Sequence, residues 1–373
     1  MVPGGSKRPP LALRDLGLRK AYRNGALLAL RDLGLRNAYR NGAPSMSDDR
    51  IALSCEVSEA LASGAAVVTL ESTVIAQGLP WPENLESVQA AQATVRGEGA
   101  APATIAVLDG VIRVGLTEIE LLRVASPPAQ MPAVMDGSQL RPAEGHPPYS
   151  LAKANRRDLS AIVARGGSAA TTVSATLWIA GHYRLSPCVL ATGGLGGVHR
   201  EAATTFDVST DLDELARADG ALIVCSGVKS ILDVPATLEA LETGGVLVVG
   251  YRTDEFPGFL IHSAGLPLEH RVDTPDEAAA IVRAHRALGL PGAIVLAQPV
   301  PADHALDPDL LQAALDDALR QAAVQRIAGK PLTPFLLDSI RRTTDEQSVR
   351  ANCALLESNA RLAAEVAVRL INE

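Results

Sequence analysis

Two patterns alternate along this chain. Short apolar runs, each stopped by glycine or a polar pair, are separated by longer stretches whose apolar residues recur three and four positions apart. The short runs read as buried strands and the periodic stretches as helices. Predicted strands are Ala66–Leu70, Thr104–Leu108, Val111–Val114, Cys188–Thr192, Ala221–Cys225, Val246–Gly250 and Ala293–Ala297. Asp109-Gly110 is the turn that closes a hairpin between the second and third. Predicted helices are Leu53–Ser63, Glu83–Arg96, Thr117–Val124, Val173–His182, Leu212–Ala218, Ser230–Glu242 and Pro275–Leu288, followed by 307–326, 333–342 and 346–371. Strands that alternate with helices call for a mostly parallel sheet in an α/β/α sandwich, closed by a helical C-terminal region.

Two segments fall outside the pattern. Residues 12–26, ALRDLGLRKAYRNGA, return almost unchanged as 29–43, so 1–45 is expected to be a duplicated, disordered leader, with a single catalytic domain over 46–373. A transit peptide is the competing reading, since the segment is rich in Arg and poor in acids. Residues 126–150 are rich in Pro, Gly and Ser without periodicity and read as a long loop insertion.

Parallel sheets place their ligands beyond the carboxyl ends of the strands. Glu71 follows Ala66–Leu70 directly, and Lys229 follows Ala221–Cys225 by a short loop. A lysine in an apolar wall loses hydration of its ammonium, which favours the nucleophilic amine needed for an imine. A carboxyl at a strand end suits general acid or base work. The bland alternatives are a solvated Lys at a loop–helix junction and a Glu paired to a structural Arg. Gly193, Gly194, Gly196 and Gly197 make either a phosphate-binding nest or a tight loop of packing glycines. Asp207, Asp211 and Asp213 enclose the hydroxyls of Ser209 and Thr210, an oxygen set suited to Mg²⁺ or Mn²⁺; alternatively Asp211 caps the helix that follows. The basic run from Lys153 to Arg157 and the hydroxyl-rich start of the helix at Val173 are candidate phosphate contacts. Trp81 either stacks on a base or packs in the core.

Composition narrows the classes. Apolar residues make up 47% and aromatics 3%, so the core is aliphatic, and the net charge of −8 argues against a general nucleic-acid binder. Cys55, Cys188, Cys225 and Cys353 lack metal or redox spacing and read as reduced core thiols of a cytosolic protein. No apolar run reaches membrane-spanning length.

Taken together, an ordered set of runs resembles the pseudouridine-5′-phosphate glycosidase family, also called indigoidine-synthase-A-like. The runs are LESTVIAQGLPWPEN (70–84), PATIAVLDGVIRVGLT (102–117), RRDL (156–159), ATTV (170–173), ATGGLGGVHR (191–200), TFDVSTDL (205–212), GVKSILD (227–233), ETGGVLVVGYRTDEFPGF (242–259), GKPLTPFLL (329–337) and SNARLAAEVAV (358–368). The resemblance implies reversible cleavage of the C–C glycosidic bond of pseudouridine 5′-phosphate to uracil and ribose 5-phosphate. It implies that Lys229 forms an imine with C1′ of the ring-opened ribose, that Glu71 is the acid/base and that Asp207 holds Mn²⁺. Lys153, Val173, Ser209, Thr210 and Asp211 match substrate contacts, and Thr172, His199 and Asn352 match positions near the site. A cytoplasmic homotrimer is implied as well. Gln77, Asn155, Ser226 and Gln298 stand where the family usually has His, Ser, Ala and Asn. The competing readings are a sugar-phosphate kinase, for which no kinase signature is present, and a non-catalytic nucleotide or sugar-phosphate binding protein.

Overall fold

The apolar runs form the middle of a three-layer α/β/α fold. The computed structural model describes residues 50–126, 151–183, 185, 188–327, 329 and 331–372. The readings of 1–45 and, apart from Ser126, of 126–150 lie outside the described residues. In chain order the strands are β1 (Ile51–Leu53), β2 (Val67–Leu70), β3 (Ala101–Leu108), β4 (Val111–Val114), β5 (Ala152–Ala154), β6 (Ala169–Thr171), β7 (Val189–Ala191), β8 (Val198–His199), β9 (Leu222–Cys225), β10 (Leu232–Asp233), β11 (Leu247–Tyr251), β12 (Arg271–Val272) and β13 (Ile294–Ala297).

Among the described residues the main sheet runs β1-β4-β3-β2-β7-β9-β13-β11-β12, with β6 beside β3 and β5 beside β6. From β3 to β12 every pairing is parallel. β3 is long enough to serve two neighbourhoods. Its first half pairs with β2, and its second half pairs antiparallel with β4 and β6. β8 and β10 form a separate antiparallel pair.

Side-chain alternation explains the layers, because successive strand residues face opposite sides. Ile223, Val295 and Leu190 join the core beneath the helices Val173–His182 and Pro308–Gln325; Leu222, Val224, Ile294 and Leu296 join the core beneath Pro275–Leu288 and Gln347–Ile371. Strands buried on both faces read as continuous apolar runs, which is why they were visible in the sequence. Each fully buried Val, Leu or Ile contributes roughly 1.5–3 kcal/mol.

Several boundaries differ from expectation. Ser230–Glu242 is not one helix. Leu232–Asp233 pairs with β8, and the helix covers Val234–Thr243 because Asp233 accepts from the Ala236 N–H at 3.0 Å and Pro235 sits in the first turn. The helix expected over Leu212–Ala218 spans Thr210–Leu215 and is capped by Ser209, not by Asp211. Ser54 caps the first helix, which therefore begins at Cys55. Cys55 is exposed, so it is not a core thiol; Cys225 is buried, and Cys188 and Cys353 are partly covered.

Candidate active site

β2, β7, β9 and β13 end side by side, and each delivers a polar residue past its last apolar one: Glu71, Thr192, Ser226 and Gln298. Parallel registration therefore brings residues that are far apart in sequence to one edge.

Glu71 is 4% exposed and its carboxylate is held on both sides. Oε2 accepts from the Thr73 N–H at 3.0 Å and from the Thr73 hydroxyl, while Oε1 accepts from the Thr192 hydroxyl at 3.2 Å. No structural Arg pairs with it among the described residues. The chain then turns through a π-helical segment, Val74–Gly78, a form often seen at functional sites.

Lys229 is carried by a loop stitched to its neighbour. The β7–β9 ladder resumes as a bridge between Leu195 and Val228, and the Lys229 N–H donates to Leu195 O at 3.1 Å. Gly227 permits this path: its φ is 86°, and a Cβ there would lie 2.2 Å from Pro257 O. Lys153 belongs to β5, whose parallel pairing with β6 sets Lys153 opposite Ala170. Lys153 thus owes its place to an edge strand.

These residues meet. One cleft is lined by Glu71, Thr73, Gln77, Lys153, Gly193, Gly194, Lys229, Phe259 and Asn352, together with Thr333, Pro334 and Leu337. Asn352 projects from the helix Gln347–Ile371. Its Oδ1 is buried without a hydrogen-bond partner among the described residues. His199 lies close enough to feel both lysines. Burial pushes its imidazole below the ordinary value, Asp207 pulls it back up, and Lys153 and Lys229 reinforce the lowering. His199 Nε2 stands 4.0 Å from Asp207 Oδ2, and the His199 backbone N–H donates to the Asp207 carbonyl at 3.1 Å.

Other expected site residues make contacts within the protein. Asp211 is 4% exposed; its carboxylate accepts from the Ser174 N–H at 2.9 Å and the Gly196 N–H at 3.0 Å. It thus sits at the helix N-terminus at Val173, the candidate phosphate contact, and satisfies the Ser174 amide there. Thr172 caps that helix and meets Ser174 Oγ at 3.0 Å; Val173 is buried; Thr210 Oγ1 meets Ser174 Oγ at 3.1 Å; Ser209 caps its own helix. Arg156 is engaged with Asp213 at 2.6 Å and Glu214 at 2.7 Å, so of the basic run only Lys153 lines the cleft. The glycine run is close-packed rather than a nest: a Cβ on Gly194 would lie 2.7 Å from the Phe259 ring. Trp81 packs among Ile75, Val88 and their neighbours, the commoner outcome for a tryptophan.

The acidic loop does not gather as an oxygen cage. Among the described residues no group of three His, Cys, Asp or Glu side chains is placed to hold a metal. Asp207, its side chain 37% exposed, offers a single accessible carboxylate. That fits a cation which keeps most of its waters and takes one carboxylate, as hard ions of the Mg²⁺ and Mn²⁺ kind do.

Sequence reasoning missed the two hydroxyls that hold Glu71. Thr192 had a usable signal, since it ends an apolar strand just as the residue before Glu71 does. Phe259 had none, lying in a loop with a φ of 68°.

The comparisons agree with this architecture. The model of the family described as "Indigoidine synthase A like protein" matches residues 56–369. A protein of Roseiflexus sp. named pseudouridine-5′-phosphate glycosidase is 48% identical over 320 residues, covering 86% of this chain and 96% of its own length. A Sorangium cellulosum protein of the same name is 44% identical over 322 residues, covering 86% and 94%. Among solved structures, the prealnumycin C-glycosynthase AlnA in complex with ribulose 5-phosphate superposes with a TM-score of 0.73 at 34% identity, covering 87% of this chain and 98% of that one. An indigoidine synthase A-like protein of Thermotoga maritima gives 0.72 at 35% identity, covering 86% and 97%. No helix among the described residues is long and apolar enough to cross a membrane. With a parallel sheet whose strand ends carry Glu71 and Lys229 into one cleft, and with relatives that align along most of its length, this chain belongs to the indigoidine synthase A like family.

Proposed function

We propose that this protein is a pseudouridine-5′-phosphate glycosidase that cleaves the C–C bond between base and sugar, reversibly, to give uracil and ribose 5-phosphate. The observation that carries the reading is the meeting of Lys229, Glu71 and Lys153 in one cleft. Relatives named for this activity support it, as does a structural neighbour that was solved with a sugar phosphate.

The chemistry follows from the residue types. A C-glycoside has no leaving oxygen to protonate, so a pair of carboxylates alone is a poor catalyst. The Lys229 amine bonds to C1′ as the C1′–O4′ bond opens; O4′ takes up a proton from solvent, and the Glu71 carboxylate takes the proton that the attacking nitrogen sheds. The nitrogen lone pair then drives cleavage of the C1′–C5 bond. The bonding electrons go to C5 of the base, Glu71 gives C5 its proton, and an iminium remains between C1′ and Lys229. Water hydrolyses the iminium, returning the free amine and ribose 5-phosphate. Thr73 and Thr192 keep the Glu71 carboxyl aimed. Lys153 supplies the cationic contact for the phosphate, whose binding energy positions the sugar. The bare Oδ1 of Asn352 accepts an N–H of the base. In this reading Asp207 would hold Mn²⁺, and the bound ion would supply charge neutralisation and orientation.

The resemblance also brings a cytoplasmic homotrimer into the reading, which light scattering of the purified protein checks. The decisive experiment is incubation with pseudouridine 5′-phosphate and Mn²⁺, followed by chromatography for uracil. Release of uracil with stoichiometric ribose 5-phosphate is expected; no release from a folded protein refutes the assignment.

A further inference from the structure

Behind the cleft lies a polar cluster with no direct access to it. Asn359, on the helix Gln347–Ile371, is 0% exposed. Its Nδ2 donates to Thr192 O at 2.9 Å and to Ser226 Oγ at 3.1 Å. Its Oδ1 accepts from Gln298 Nε2 at 3.2 Å and lies 3.4 Å from Ser226 Oγ. Gln298 also donates to Ser358 Oγ at 2.7 Å. One side chain thus joins the ends of β7, β9 and β13 at the edge where the parallel ladders stop.

Two of the three strands it joins lead to the groups assigned to catalysis. Thr192, whose carbonyl Asn359 holds, gives its hydroxyl to Glu71. Ser226 opens the loop that carries Lys229, and its N–H donates to Gly193 O at 2.8 Å, directly behind the cleft. Buried polar groups are costly unless paired, and an apolar residue would fill this position with less demand on its neighbours. Gln298 and Ser226 stand where the resembled family usually has Asn and Ala, so in this chain both altered positions converge on the same side chain.

We propose that Asn359 is a positioning residue that sets the distance between the proton donor and the imine lysine, by holding the Thr192 and Ser226 strand ends in fixed register. It touches neither substrate nor reacting atoms. The inference rests on the glycosidase reading above.

The test compares wild type, Asn359→Leu and Ser226→Ala, with folding checked by circular dichroism and melting temperature. Misplacement of catalytic groups by about an ångström can cost about 100-fold in rate. Asn359→Leu should therefore lower kcat roughly 10–100-fold while KM changes less than about twofold. Borohydride trapping of ribose 5-phosphate on Lys229 should still go to completion, because the lysine remains present and only its alignment with Glu71 is lost. Ser226→Ala, a smaller change that removes a single hydroxyl, should lower kcat several-fold with the same unchanged KM. If the Asn359 variant fails to fold, the Ser226 variant decides. A folded variant with wild-type kcat and only a lower melting temperature would overturn the inference, since that is a purely structural role. Failure of the wild type itself to release uracil sinks the glycosidase reading instead, so the two failures are distinguishable.

Discussion

Replacing Asp211 by alanine removes a buried carboxylate that two backbone amides depend on. The Ser174 N–H lies at the start of the helix Val173–His182, and the Gly196 N–H lies in the glycine loop behind the cleft. Hydrogen bonds to a charged partner contribute about 1.5–3 kcal/mol each, and with Asp211 4% exposed, water cannot replace both. The expected loss is about 4 kcal/mol. Unfolding entropy of about 2.1 cal/mol/K per residue gives about 0.6 kcal/mol/K for a folded region of about 300 residues, so Tm should fall by about 6 °C. Asp211→Asn keeps one acceptor and should lose about half as much. The assay is differential scanning calorimetry of the purified proteins without ligand. The resemblance assigns Asp211 to substrate contact, which predicts a raised KM and an unchanged Tm. A ligand-free Asp211→Ala protein that melts with wild type would refute the anchoring argument.

Lys229→Ala should abolish uracil release and borohydride trapping together, read by chromatography and mass spectrometry of the protein. Glu71→Ala should slow release by about 10²–10⁴-fold while still trapping the sugar from ribose 5-phosphate. Asp207→Ala should stay folded and lose the stimulation by Mn²⁺; equal Mn²⁺ affinity in wild type and variant removes Asp207 from that role. Burial pushes the Cys188 and Cys225 thiols up to about 12, so both stay protonated at pH 8 and react slowly with alkylating reagent in the native protein. Exposed Cys55 should be the thiol labelled fastest, as peptide mapping will show.

How much of this was legible in the sequence depended on range. Buried parallel strands announce themselves as apolar runs, so β2, β7, β9, β11 and β13 were found to within a residue at each end, and the positions of Glu71 and Lys229 at the sheet edge followed. Two-residue strands such as β8 and β10 have no periodicity to read, and only their pairing with each other defines them. Asp211 read either as one of a local oxygen set for a cation or as a cap of the next helix, both of them sequence-local. Its partners lie 37 and 15 residues away, and no pattern along the chain carries that information. The contact of Thr192 with Glu71, 121 residues earlier, was equally non-local, although the apolar strand before each residue placed both at the sheet edge.

The helix Gln347–Ile371 comes after every strand it covers. Until it is synthesised, Val224, Leu222 and Leu296 on one sheet face have lost their Ala360, Ala363 and Ala367 neighbours, and the carbonyl at Thr192 has no donor. A nascent chain can therefore form the sheet but not finish it, and exposed apolar surface of this kind invites aggregation during synthesis. Premature stop codons late in the reading frame would remove few residues yet leave an unfinished layer, so such products are expected to be cleared by proteolysis rather than to persist as shortened enzymes.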